Sequence, residues 1–197
     1  MEHNERVRKE FAKQAAKFND SGLTLSSEEY LAWMVGILPL QSDFRVLDVA
    51  AGTGHLSRAV APHVREVVAM DMTPEMLAKG KEQAAQAGLG NIVFEEGDAA
   101  ALRYDDASFD MVVTRLSLHH FESPDGPLAE MVRVCRPGQV VGVIDLLSPD
   151  DHAVIASFNR LERLRDPSHT LALTKEQLVN AMETSGLTIE GIDARDI

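Results

Sequence analysis

The sequence has few of the residues that staple a chain, span a bilayer or grip a polyanion. It holds a single cysteine, Cys135, so no disulfide can close within the chain, and no Cys/His cluster has zinc spacing. Cys135 lies in the apolar stretch Met131-Val132-Arg133-Val134-Cys135, where a thiol acts as a small buried hydrophobe. No metal site is expected. No apolar run approaches the ~20 residues that a membrane-spanning helix needs, and Met1-Glu2-His3-Asn4-Glu5-Arg6 lacks a secretory pattern. The expected location is the cytoplasm, with no membrane span. Basic residues are in the minority, 19 Lys+Arg against 31 Asp+Glu for a net charge of −12, which argues against a nucleic-acid partner. There is no internal repeat and no low-complexity tract.

What is present suits one α/β domain. The chain has 197 residues, 45% of them apolar and 25% charged, ordinary values for a globular protein. Val7, Phe11, Ala15 and Phe18 recur at helical spacing. Asn19-Asp20-Ser21-Gly22 breaks that segment, Ser26 with Glu29 offers a capping box for a second helix, and Pro39 stops it. From Phe44 onward strand candidates at 45–49, 66–70, 92–95, 111–114 and 140–146 alternate with helices, except that residues 99–109 read as loop. Thr73-Pro74-Glu75 opens one helix and Gly88 ends it; Thr174 with Gln177 opens the last, and Gly186 closes it. Strands apolar on both faces and separated by helices predict a Rossmann-like, doubly wound, mostly parallel sheet covered on both sides. The expected division is a helical cap or lid at 1–42, a ligand-binding core at 43–146, and an insertion with the last helix at 147–197. Residues 187–193 alternate like a further strand, so the sheet is either one strand short or continued beyond Ile197.

The most informative segment is Asp48-Val49-Ala50-Ala51-Gly52-Thr53-Gly54, between the apolar Val46-Leu47 and the helix start at Leu56. It reads as strand, small-residue turn and helix, where a ligand can approach the backbone closely and free N–H groups favour an anion. Asp71 follows the second strand, 19 residues after Gly52, and from there a carboxylate can accept both hydroxyls of a ribose. Asp98 follows the third strand and is placed to accept an adenine amino group, with Met72 against the base. Asp48 separates two rival ligands. A dinucleotide brings two phosphates to the glycine turn, which disfavours a carboxylate just before it, and the third glycine of that fingerprint is here Ser57. A cationic amino-acid end suits Asp48 better, and S-adenosylmethionine has one, together with a sulfonium. The blander readings are that Asp48 braces the loop and that Asp71 is a solvated strand-end acid.

Residues 8–146 resemble the class I S-adenosylmethionine-dependent methyltransferases, in particular the small-molecule branch that includes ubiquinone and menaquinone biosynthesis. The resemblance rests on 46–54, on Asp71-Met72-Thr73-Pro74-Glu75-Met76-Leu77, on Gly97-Asp98-Ala99 with Leu102-Arg103-Tyr104 and Ser108-Phe109-Asp110, and on Leu118-His119-His120-Phe121 with Glu130, Arg133 and Arg136-Pro137-Gly138. Ala50 departs from the glycine that is more frequent there.

The resemblance implies methyl transfer by in-line displacement to a small-molecule acceptor, leaving S-adenosylhomocysteine. It implies cofactor contacts from Phe18, Asp48, Ala50, Gly52, Thr53, Gly54, Asp71, Met72, Asp98, Ala99 and Arg115. Arg115 meets the cofactor carboxylate or only forms a salt bridge, and His55 is a polar residue of a first helical turn. His119 and His120 are either a catalytic base or packing residues of their loop. The N-terminal helix covers the cofactor as a lid, and the 147–173 insertion together with that lid carries acceptor specificity. The rivals are a nicotinamide-dependent oxidoreductase and a catalytically silent cofactor-binding partner module. The acceptor atom and the oligomeric state are not legible.

Overall fold

The computed structural model describes residues 2–15 and 27–195. Phe18 and Ser26 lie outside the described residues. The elements run α1 (Glu2–Gln14), α2 (Glu28–Gly36), β1 (Arg45–Val49), α3 (His55–Val60), β2 (Glu66–Asp71), α4 (Pro74–Gln86), β3 (Ile92–Glu96), β4 (Phe109–Arg115), α5 (Asp125–Val134), β5 (Cys135–Ile144), α6 (His152–Arg165) and α7 (Lys175–Thr184). All strand pairs are parallel, in the order β3-β2-β1-β4-β5. This is the expected Rossmann-like architecture.

Alternate residues of each central strand feed opposite cores. Leu47, Val49, Val68, Met70 and Val112 pack with Leu128, Met131 and Val134 of α5. Val46, Val67, Met111 and Val113 pack with Leu56 and Val60 of α3, and with Leu31 and Val35 of α2. Each such fully buried aliphatic side chain contributes about 1.5–3 kcal/mol, so the central strands are the most heavily stabilised part. The loop at 99–109 is held by Arg133, which donates to Glu130, to Asp106 and to the carbonyls of Leu102 and Tyr104. Glu130 in turn accepts from the Leu102 N–H.

Helix ends follow the sequence signals in part. Thr174 and Gln177 form a complete capping box on α7. Thr73 is the N-cap of α4 with Pro74 in the first turn, but its side chain makes no capping bond. At α2 the N-cap is Ser27, also without a side-chain bond.

Two expectations about the C-terminal third are corrected. β5 starts at Cys135, five residues ahead of the predicted start, because Cys135 pairs with Phe109 across a register shift in the ladder. As an edge strand it is only half-buried over 140–144, unlike the predicted strand covered on both faces. Residues 187–193 form no strand. Alternation gives a segment an apolar face, but a strand also needs a backbone partner, and this one is tied instead through side chains. Trp33 Nε1 donates to Asp193 at 2.6 Å, and the Arg195 guanidinium lies 4.8 Å from the Trp33 ring centroid.

Candidate functional site

β1 and β4 are neighbours, and the chain leaves them toward opposite sides of the sheet. The crevice at their carboxyl ends is the place where open α/β sheets bind ligands. A cavity of about 530 Å³ lies there. Its floor includes Asp48, Ala50, Gly52, Thr53, Asp71 and Met72; Ala99, Arg115, His119 and His120 add further wall, and His3, Val7 and Phe11 of α1 close one side.

The glycine loop is shaped by its own hydrogen bonds. Ala50, Gly52 and Gly54 have φ of 54°, 57° and 71°. Ala51 donates its N–H to the Met70 carbonyl, Gly54 to Ala51, and Gly52 to Asp71 Oδ2 at 2.8 Å. Asp71 Oδ1 accepts from the Thr73 N–H, also at 2.8 Å. The expected free N–H cradle is thus largely occupied from within: Asp71 uses one lone pair on each oxygen to hold the loop and has the others left. Burial raises the Asp71 pKa, opposed by the Thr73 and Gly52 N–H groups.

Asp48 is 1% exposed. Its Oδ2 accepts from the Ser57 hydroxyl at 2.5 Å, while Oδ1 is buried with no partner among the described residues. The serine at the position of the missing third glycine therefore braces the carboxylate. Burial pushes the Asp48 pKa up to about 6, with the Ser57 bond and Arg115 opposing it. Thr53 Oγ1 is likewise buried without a partner. Arg115 donates to Met34 Sδ at 3.3 Å, and burial lowers its pKa while Asp48 raises it. His55 also faces the cavity, and burial with the nearby Arg58 and Arg115 cations lowers its pKa to about 4.

Two of the sequence-derived site residues stand off the cavity wall. Asp98 turns its Oδ1 back to the Ala100 N–H at 2.9 Å, inside a small bridge between Asp98 and Ala101. Gly54 starts α3, and a Cβ there would stand 3.0 Å from the Phe94 ring. Its smallness serves helix-to-sheet packing.

On the other side, His119 and His120 are both 7% exposed. His119 Nδ1 donates to Asp145 Oδ1 at 2.5 Å, and its backbone N–H to Asp145 Oδ2 at 3.2 Å. His120 Nδ1 donates to Ser168 Oγ at 3.1 Å, and Ser168 donates to Asp166 at 2.5 Å. Burial and the neighbouring His119 lower the His120 pKa to about 4. The His120 carbonyl accepts from His3 Nε2 of α1 at 2.7 Å, and the Phe11 ring meets the His120 ring edge-on at 4.9 Å. Sequence reasoning missed Asp145, Ser168 and Asp166. Asp145 carried a usable signal, an acid at the carboxyl end of a strand like Asp71, but with the strand read through to residue 146 it sat mid-strand. Among the described residues no cluster of three or more His, Cys, Asp or Glu has a metal-holding arrangement, and no helix is long and apolar enough to cross a membrane.

Residues 46–138 match the family model described as a methyltransferase domain, and the chain belongs to the class I S-adenosylmethionine-dependent methyltransferases. It is similar to the Bacillus subtilis methyltransferase YcgJ, itself uncharacterized: 33% identical over 159 residues, covering 81% of this chain and 62% of that one. The YcgJ crystal structure superposes with a TM-score of 0.78 at 30% identity over 82% of this chain and 69% of that one. The demethylmenaquinone methyltransferase of Renibacterium salmoninarum is 38% identical over 141 residues, 68% of this chain and 56% of that relative. Phosphoethanolamine N-methyltransferase 1 of Haemonchus contortus, solved with phosphoethanolamine and S-adenosylhomocysteine, superposes with a TM-score of 0.59 at 25% identity, covering 74% of this chain and 33% of that one. The chain spans about three fifths of the length of the two curated bacterial relatives.

Proposed function

We propose that this protein transfers a methyl group from S-adenosylmethionine to a small-molecule acceptor. The observation that carries this reading is that Asp48 Oδ1 and Thr53 Oγ1, on the wall of a cavity that Asp71 also lines, are buried with no hydrogen-bond partner among the described residues. A buried polar atom without a partner costs about 1–3 kcal/mol, and a ligand bearing an ammonium and hydroxyls would repay both. When bound, the cofactor supplies an electrophilic methyl group on a sulfonium. Asp48 would pair with its ammonium, Thr53 and the loop around Ala50 and Gly52 would follow its amino-acid end, and Arg115 would meet its carboxylate. Asp71 would take the ribose hydroxyls on its remaining lone pairs, and Met72 and Ala99 would flank the base. Gly54 and Asp98 would act only by shaping their loops, and Phe18 would contact the cofactor from the lid. A dinucleotide fits less well, because the loop N–H groups of Ala51, Gly52 and Gly54 are already used and Asp48 would face phosphate.

The chain then divides into a lid at 1–42, a cofactor core at 43–146 and an acceptor-selecting part at 147–197. α1 closes over the cavity, which excludes water and holds the acceptor in line; such positioning can contribute about 7–11 kcal/mol. The size of the cavity suits a small molecule, and the net charge of −12 disfavours nucleic acid. We place the reaction in the cytoplasm. Calorimetry with S-adenosylhomocysteine tests the reading, with a fluorescence titration of NADH beside it. Binding of the first and not the second is expected; the reverse would overturn it.

A further inference from the structure

The geometry points to His119 as the residue that takes a proton from the acceptor, with Asp145 as its positioning residue, and hence to an acceptor bearing a weakly acidic hydroxyl. This rests on the methyl-transfer reading. The Asp145 carboxylate fixes His119 twice, through Nδ1 at 2.5 Å and through the backbone N–H at 3.2 Å, and is itself tied by the Leu146 N–H at 2.7 Å. With the Nδ1 proton held there, the other ring nitrogen, Nε2, carries the lone pair. Nε2 makes no hydrogen bond among the described residues, and His119 lines the cavity. His120 is arranged for a different task. Its Nδ1 is bound to Ser168, its carbonyl to His3, and burial favours its neutral form. The groups facing His119 are Asp145 after β5, His120 on its own turn, and His169 of the α6–α7 connection at 5.4 Å between ring centroids. Asp166 lies one step further, through Ser168 and His120.

A base held by a buried carboxylate is of most use to an acceptor that must lose its proton as the new bond forms. A neutral amine attacks with its lone pair and sheds a proton afterwards, whereas a hydroxyl attacking intact would become an oxonium. His119 Nε2 takes the hydroxyl proton, and the oxygen electron pair forms the bond to the methyl carbon. The carbon–sulfur bond breaks with its pair staying on sulfur, and the imidazolium proton then leaves to water. A histidine works best on groups whose acidity lies within a few units of its own, which selects phenols and enols over alkyl alcohols. Val7, Phe11, Phe121 and Leu146 give the wall the apolar body that such a molecule needs.

The test uses the full chain saturated with S-adenosylhomocysteine and 4-nitrophenol as probe, because its phenolate band reads the proton directly. Bound probe is expected to ionise at least about one pH unit below free probe, a tenfold change. His119→Gln should abolish that shift and Asp145→Asn should reduce it, each leaving S-adenosylhomocysteine affinity within about twofold. In ¹⁵N-histidine spectra, Asp145→Asn should loosen the His119 tautomer that carries its proton on Nδ1. A shift that survives His119→Gln, or no shift in the unaltered protein, overturns the assignment. If the unaltered protein fails to bind S-adenosylhomocysteine, the methyl-transfer reading falls as well.

Discussion

Two acids at the carboxyl edge of the same sheet are held by different means, and they do different work. Asp71, the last residue of β2, is gripped by the backbone N–H groups of Gly52 and Thr73. Asp145, after β5, accepts the Leu146 and His119 backbone N–H groups too, but its shortest bond goes to the His119 side chain, 26 residues away in sequence. An acid tied to backbone is part of a scaffold, and removing it lets a loop go. An acid whose long-range bond goes to an imidazole sets the position and tautomer of one side chain. The β1–β2 half of the crevice is therefore a rigid mould, while the β4–β5 half is adjustable chemistry on a frame.

Removing Asp71 should give the largest effect and is the sharpest way to break this contrast. Asp71→Ala deletes two hydrogen bonds to a charged group, each contributing about 1.5–3 kcal/mol. Denaturant unfolding should show a loss of about 3 kcal/mol or more, and calorimetry a loss of S-adenosylhomocysteine affinity of at least about tenfold. A comparable stability loss in Asp145→Asn would erase the distinction between scaffold and chemistry.

Asp48 comes next, because it belongs to the mould and yet is only half satisfied. Its pKa in the folded protein is raised to about 6 from 3.8, so the native state holds the proton more tightly than the unfolded state. Its contribution to stability is greatest at low pH and declines as pH rises from about 4 to 6. Asp48→Asn should remove that slope and make the free protein more stable at pH 7.5, by up to about 3 kcal/mol. The same substitution should weaken S-adenosylhomocysteine binding and abolish the rise in affinity expected between pH 5 and 7.5. The histidines His55 and His120, whose pKa values are lowered by burial, act in the opposite direction over pH 4 to 6.5, so the comparison of the two proteins isolates Asp48. A variant no more stable than the original would show that the carboxylate has a cation partner in the free protein.

The same contrast explains what was legible in the sequence. The β1–β2 half is written locally: Asp71 binds Thr73 two residues on and a glycine loop whose composition announces itself. The parallel sheet follows from strands that alternate with helices, and all five strands were legible, the central three within two residues of their ends; the strand order was not. The β4–β5 half is written across distance. No local pattern ties His119 to Asp145, or His120 to Ser168 and Asp166, because those bonds exist only once the sheet and the α6–α7 connection are in place. Asp98 was legible only in part. Its place at a strand end was readable, but the turn that folds its carboxylate back onto Ala100 was not. Residues 187–193 show that alternation alone does not make a strand when no edge takes it up.

A smaller effect tests how closely the mould is packed. Gly80, in the middle of α4, lies against the glycine loop: a Cβ there would stand 2.8 Å from the Thr53 carbonyl oxygen and 2.5 Å from the Phe94 ring. Phe94 can rotate away, but the carbonyl belongs to the loop. Gly80→Ala gains about 1 kcal/mol of helix propensity and loses about 1–3 kcal/mol to overpacking. A net loss of about 1 kcal/mol in thermal unfolding is expected, with weaker S-adenosylhomocysteine binding as Thr53 is displaced. Stabilisation would mean that helix and loop separate freely.

The smallest effect concerns backbone strain, which both halves share. Ala50 follows β1 with φ of 54°, and Leu116 follows β4 with φ of 53°; both line the cavity. A non-glycine residue in that region costs about 1–2 kcal/mol. Strain at the lips of a crevice is often retained for the ligand's sake. At Ala50 the strain serves the turn and the methyl group is incidental, so Ala50→Gly should relieve it. The greater freedom of glycine in the unfolded chain takes back about 0.4–1 kcal/mol, which leaves a gain of under about 1 kcal/mol and an unchanged S-adenosylhomocysteine affinity. Leu116→Gly should instead destabilise, because it also removes a side chain from the acceptor wall. If both substitutions stabilise equally, the two lips are interchangeable turns and the division between mould and chemistry does not extend to the backbone.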